Sequence, residues 1–287
     1  MSCPVRNKAI SRGAADLLAD IRYEVMPTKT IEQAVVESVP TTIPITITAS
    51  PSKGIDTTMD LAGRLVAHGY RVVPHLSARL VRDEIHLKYL VQQALDLGVD
   101  DVFVPAGDAD PPAGKYHSAV SLLAELTAMG RPFAHIGITG YPESHPLIDD
   151  DITIQSMWDK REHGTYIVSN LCFDAAILNG WVRRVRARGI TLPIRIGLAG
   201  PVDPTKLLSM ATKVGVGDST KFLRKHASWF MRLTAPGGYS PERMLQRIGS
   251  TVGTPEAAVT GLHIFTFNQV AKTEQWRQRL LATVKPG

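Results

Sequence analysis

Residues 165–200 read TYIVSNLCFDAAILNGWVRRVRARGITLPIRIGLAG. Two apolar, β-branched runs, Thr165–Asp174 and Pro193–Gly200, flank the amphipathic stretch Ala175–Arg188. Neither run alternates apolar with polar residues, as expected for parallel strands buried on both faces. The segment therefore reads as one β-α-β unit, and the same signature recurs in both directions along the chain. Strands are expected at Ile21–Met26, Pro44–Ala49, Arg71–Ser77, Asp101–Gly107 and Phe133–Pro142 before it, and at Gly261–Asn268 after it. Helices are expected at Asp56–Gly69, Leu80–Leu97, Tyr116–Met129, Ile152–His163 and Pro204–Val214. The long stretch before the last strand has room for two more, Ser219–Leu233 and Ser240–Val252.

Repeated βα units that stop at eight strands indicate an α/β fold of one kind, a single (β/α)8 TIM barrel with extra helices before the last strand. The barrel takes up residues 1–287 as one domain. An open doubly wound sheet is the weaker alternative, because no GxGxxG follows the first strand.

Composition bounds the function. The 287 residues carry 32 Lys+Arg, 27 Asp+Glu, 44% apolar residues and only 6% aromatics, with a net charge of +5 and a pI near 9.2. A mean hydropathy of -0.01 is that of an ordinary globular chain. The arginines at 183, 184, 186 and 188 fall on a helix and read as a solvated face; no nucleic-acid recognition motif accompanies them. Mild positive charge suits small anionic ligands. No apolar run approaches a membrane span, and residues 1–20 lack the apolar core of a signal peptide, so a cytoplasmic location is expected. Cys3 and Cys172 form no CxxC pair.

A TIM barrel builds its site at the C-terminal ends of its strands. There this chain places Glu24, Thr48, His75 with Ser77, Asp108, Tyr141 with Glu143 and His145, Asn170 with Asp174, and Asn268–Gln269. Glu24 lies in the apolar run YEVM, where burial would keep a carboxyl partly protonated and suit it to general-acid work. The competing reading pairs it with Arg71 or another barrel arginine. Asp108 in AGDADPP, taken by itself, reads as a turn aspartate. A metal hydrolase is disfavoured, since neither HxH nor HExxH is present, and no GxSxG nucleophile elbow appears.

These strand ends, taken in order, resemble those of the methylenetetrahydrofolate reductase family. YEVMPTK is similar to its E-F-F-P-P, ITAS to V-T-Y-G, PHLS to P-H-L-T, and AGD to R-G-D. GYPESHP, residues 140–146, resembles A-Y-P-E-x-H-P most closely; SNLCFD is similar to T-Q-x-F-F-D, and LHIFTFN to F-H-F-Y-T-L-N. The resemblance implies reduction of 5,10-methylenetetrahydrofolate to 5-methyltetrahydrofolate with NADH or NADPH, in one-carbon metabolism and methionine biosynthesis. It implies Glu24 and Asp108 as catalytic residues and Asn170, with Asp108, as substrate-binding. Thr48, His75, Tyr116, Tyr141, His145 and Lys160 match flavin-site positions that could instead line a nicotinamide pocket. The family arginine of R-G-D is replaced by Ala106, and Asp159 stands where another arginine is expected, so FAD is expected to bind weakly or not at all. Alternatives are a non-catalytic folate-binding regulator and a folate-linked barrel methyltransferase or lyase. The expected partner is the folate substrate, with neither nucleic acid nor membrane; a homo-oligomer is compatible.

Overall fold

The structure, a computed structural model, describes residues 12–142, 150–201, 239–252 and 254–283. The eight expected strands are all present: β1 Ile21–Val25, β2 Ile45–Ile47, β3 Val72–Pro74, β4 Asp101–Phe103, β5 His135–Gly140, β6 Tyr166–Ser169, β7 Ile194–Ala199 and β8 Val259–Phe265. The described helices are α1 Arg12–Ala19, α2 Ile31–Ser38, α3 Asp56–Ala67, α4 Glu84–Asp96, α5 Ala119–Ala128, α6 Asp150–Lys160, α7 Ala175–Ala187, α8 Pro241–Val252 and α9 Val270–Leu281. The expected helices at 204–214 and 219–233, and His145, lie outside the described residues; Ser240–Val252 is observed as α8.

The strands form one parallel sheet in the order β3-β2-β1-β8-β7-β6-β5-β4. β1 pairs with both β2 and β8, in the registers Glu24 with Thr46 and Glu24 with Phe265. The two end strands meet through a parallel bridge between His75 and Phe103 and the bond from Leu76 N to Phe103 O, 2.9 Å, which brings the sheet round into a barrel. Strands are shorter than their apolar runs suggested. After β4, for example, Val104 N still donates to Gly137 O (2.9 Å), but beyond it the chain leaves the ladder, and Ala106 O is taken by Arg79 N (2.9 Å) rather than by a neighbouring strand.

The alternation within β1 explains where its charges go. Tyr23 points outward, and its hydroxyl donates to Glu274 Oε2 on α9 at 2.6 Å. Arg22 and Glu24, of opposite parity, point into the lumen. The outer face is apolar because helices cover it, so polar residues of a barrel strand gather inside.

At the lumen floor Arg22 Nη1 donates to Tyr166 Oη (2.8 Å) and Nη2 to Asp101 Oδ2 (3.1 Å), while Tyr166 Oη donates to Asp101 Oδ1 (2.7 Å). Burial opposes the Arg22 cation, yet Tyr166 and Asp101 outweigh it and raise its pKa. Burial likewise raises the Asp101 pKa, against the pull of Arg22. The strand HIGITG accommodates this by its glycines: a Cβ on Gly137 would stand 2.6 Å from Tyr166 Cζ inside the barrel, and one on Gly140 would stand 2.5 Å from Trp181 Cζ2 outside it.

Three described helices have no counterpart in the sequence reading: α1, α2 and α9. Two of them show little apolar contrast: α2 (IEQAVVES) buries only Ile31 and Val35, and α9 (VAKTEQWRQRLL) buries polar Thr273, Glu274 and Arg277 alongside Trp276. Among the described residues no helix is long and apolar enough to cross a membrane.

Candidate active site

Glu24 sits next to last in β1, at the C-terminal end of the barrel. Its backbone is fixed by β8: Thr266 Oγ1 donates to Glu24 O at 2.6 Å. Asn268 then clamps the following loop, accepting from Met26 N (2.7 Å) and donating to Met26 O (2.9 Å). The carboxylate faces two imidazoles. His263 Nε2 lies 3.0 Å from Glu24 Oε2, and His75 Nε2 lies 3.7 Å from the same oxygen. No arginine contacts it among the described residues; Arg71 is exposed and Arg22 is engaged at the floor.

Aromatic rings fix both histidines. His75 packs on Phe103 with centroids 4.8 Å apart, and His263 meets Phe265 edge-on at 4.9 Å. Burial lowers the His75 pKa to about 4; Glu24 pulls it upward and His263 pushes it further down. His75 is therefore neutral at neutral pH, and its approach to Glu24 is a contact rather than an ion pair.

This depression has a consequence for stability. The unfolded chain takes up the proton near 6.5, the folded protein only near 4. Between those values the unfolded state holds more protons, so stability rises with pH across that window and is lost as pH falls from 6.5 towards 4. Urea unfolding of the wild type and His75→Gln at several pH values checks this. The variant is expected to show a shallower slope, and an unchanged slope would show that His75 is not the neutral buried group.

The other expected site residues are spread around the barrel. Thr48 continues β2 beside Glu24's strand, its N–H bonded to Val25 O (2.9 Å) and its carbonyl accepting from Thr58 Oγ1 (2.8 Å). Lys160 and Tyr141 meet near the end of β5. Lys160 Nζ donates to Thr139 Oγ1 (2.9 Å) and Thr139 O (3.1 Å), and lies 6.0 Å from the Tyr141 ring. It is 2% exposed, and burial pushes its pKa down to about 8. Asn170 caps its own turn, its Oδ1 accepting from Leu171 N at 2.8 Å.

Asp108 is exposed on the loop after β4. Gly107 before it has φ +85° and presses on Ser77, whose Cβ would be 3.0 Å from an added Cβ. Tyr116 is buried with its ring beside Lys115 Nζ (5.3 Å), which pairs with Glu84 and Glu125, so it belongs to the layer between α4 and α5. Cys172 is buried and donates to Asp174 O at 3.2 Å.

The sequence reading missed His263 and the floor trio Arg22, Asp101 and Tyr166. The signal was present in the alternation of LHIFTF, where His263 shares parity with Phe265. It also missed Arg79, whose guanidinium lies 3.6 Å from Asp110 and whose N–H holds the carbonyl of Ala106.

Fold and site together define a TIM-barrel protein with a carboxylate held between two buried imidazoles at the C-terminal mouth, the position from which barrels act on ligands. Residues 24–219, well over half of the chain, match the model of the methylenetetrahydrofolate reductase family, and the chain belongs to that family. It is similar to methylenetetrahydrofolate reductase 2 of Saccharomyces cerevisiae, with 29% identity over 101 residues, covering 33% of this chain and 17% of the yeast protein. The chain thus matches less than a fifth of that relative's length. Among solved structures it resembles one described as a lyase/mutase from Burkholderia cenocepacia (TM-score 0.51, 13% identity, 93% of this chain and 86% of that one). It also aligns with dihydropteroate synthase from Thermus thermophilus (TM-score 0.45, 10% identity, 91% and 92% covered). At such identities the first of these supports the fold alone.

Proposed function

We propose that the protein reduces 5,10-methylenetetrahydrofolate to 5-methyltetrahydrofolate, taking hydride directly from a reduced nicotinamide. The observation that carries this reading is Glu24, a carboxyl fixed by one oxygen in a nearly closed lumen in a member of this family. The bond between the methylene carbon and N10 must break, and N10 must gain a proton. Glu24 supplies that proton, leaving a methylene iminium on N5. The methylene carbon then accepts hydride and becomes methyl, while the nicotinamide is oxidised. One substrate, one reduced nicotinamide and one proton give one product and one oxidised nicotinamide.

Asp108 stands on an exposed loop at the mouth and is assigned to the cationic iminium, whose charge it opposes. Asn170 is assigned to the pterin edge. Its Oδ1 accepts from Leu171 N, and its amide N–H2 is the donor it offers.

The residues present do not fit a flavin dinucleotide. Lys160, the cation at a family phosphate position, is buried and bonded to Thr139. Asp159 accepts from Gln155 Nε2 at 2.7 Å and brings negative charge to the same helix end. Tyr116 lies among α4 and α5 beside Lys115. Ala106 has no side-chain donor at all. Charge-assisted bonds to phosphate are roughly twice as strong as neutral ones, so their loss weakens an anchored dinucleotide most.

The purified protein tests both halves of the reading. We expect a colourless protein that oxidises NADH or NADPH only when methylenetetrahydrofolate is present, with intersecting initial-rate lines from a ternary complex. A visible flavin spectrum with parallel lines would overturn the direct route. Absence of any folate-dependent oxidation would overturn the reaction itself.

A further inference from the structure

Polar side chains line the lumen around Glu24. Thr46 Oγ1, His75 Nε2 and His263 Nδ1 are buried with no hydrogen-bond partner among the described residues. Within this setting His263 Nε2 makes the one hydrogen bond found on the Glu24 carboxylate among the described residues, at 3.0 Å, while His75 stands off at 3.7 Å. The bond occupies Oε2. Among the described residues Oε1 bonds to no other side chain, and the Glu24 side chain retains 16% of its exposure.

His263 itself has almost no freedom. It is 1% exposed, its backbone is in register with Arg22 of β1 and Gly197 of β7, and its ring lies between Phe265 (4.9 Å) and Phe103 (6.4 Å). A glutamate has three rotatable side-chain bonds, and an acid must reach one substrate nitrogen at hydrogen-bond distance. A misplacement of about 1 Å can lower a rate by about 10²-fold.

We propose that His263 is the positioning residue for Glu24: its Nε2 holds Oε2 and thereby presents Oε1 to the bound substrate. The proposal rests on the reading of Glu24 as the proton donor and extends it to a residue 239 positions away in sequence. His263 makes no contact with substrate in this role. His75 is not its equivalent, because it lies beyond hydrogen-bond reach and packs on Phe103 instead.

Two variants and two readouts test it. His263→Phe keeps a ring between Phe265 and Phe103 but removes Nε2; His263→Gln restores a polar group able to reach the carboxyl. We expect kcat to fall about 10- to 100-fold in His263→Phe, with KM for folate and nicotinamide changed less than about threefold, and to recover largely in His263→Gln. In parallel, the infrared carboxyl band of Glu24, assigned by its loss in Glu24→Gln, should shift in His263→Phe and return in His263→Gln. Unchanged kcat in His263→Phe overturns the proposal, as does a rate loss that His263→Gln does not rescue. The infrared measurement needs no turnover. If the wild type shows no folate reduction, the functional reading fails, yet an unshifted band would still separately refute the contact.

Discussion

Glu24→Gln is expected to lower kcat for methylenetetrahydrofolate reduction by about 10³-fold while folate binding stays within a few-fold of wild type. General acids at this kind of step contribute about 10² to 10⁴ in rate, and the middle of that range corresponds to about 4 kcal/mol of barrier. The substitution is nearly isosteric. An amide can still bond His263 Nε2, since imidazole and amide each offer a donor and an acceptor, so the packing of Phe103, Phe265 and both histidines is retained. What is lost is the transferable proton. Steady-state kinetics combined with folate fluorescence quenching separates these effects. Near-normal turnover would remove Glu24 from the chemistry, and loss of binding in step with kcat would make it a substrate anchor.

The second large effect concerns the lumen floor. Asp101→Ala is expected to destabilise the protein by about 3–5 kcal/mol, because it leaves the Arg22 guanidinium buried with Tyr166 as its remaining described partner. The Arg22 and Asp101 side chains are 8% and 13% exposed, so water cannot easily replace the carboxylate. For a chain of this size the loss corresponds to a fall in Tm of order 10 °C. The Asp20–Arg195 pair, at 2.9 Å but with Asp20 52% exposed, provides the contrast: Asp20→Ala should cost less than about 1 kcal/mol. Arg22→Met combined with Asp101→Leu and Tyr166→Phe should recover most of the loss, since exchanging a buried ion pair and the hydroxyl bonded to it for apolar groups is often neutral. Thermal denaturation of the three variants decides it. Equal effects of Asp101→Ala and Asp20→Ala would mean the floor is hydrated and contributes little.

Much of the architecture was legible because strand and helix periodicity is local. Runs such as ITITA and HIGITG announce buried strands whatever lies across from them, and the eight strands appear where those runs are. Glu24 was legible for a related reason: a carboxylate within YEVM demands an explanation from its neighbours alone. The partner was not legible. An arginine is the usual countercharge, and only ring closure shows that Arg22 is already committed to Asp101 and Tyr166.

Lys160 shows the opposite limit. Its position in the helix suggested a phosphate contact, whereas its Nζ turns to Thr139, a choice made by packing depth rather than by sequence spacing. The missed helices α2 and α9 share one cause. Each buries polar or few apolar residues against the barrel, so its pattern gains meaning only once the sheet it covers exists.

The sequence by itself thus determined the succession of βα units, the family and the carboxylate at the first strand end. The tertiary structure decided which side chains share the lumen. That division follows from distance along the chain: periodicity is set over a few residues, but the contact between Glu24 and His263 spans 239 and exists because β1 and β8 lie side by side when the sheet curls round.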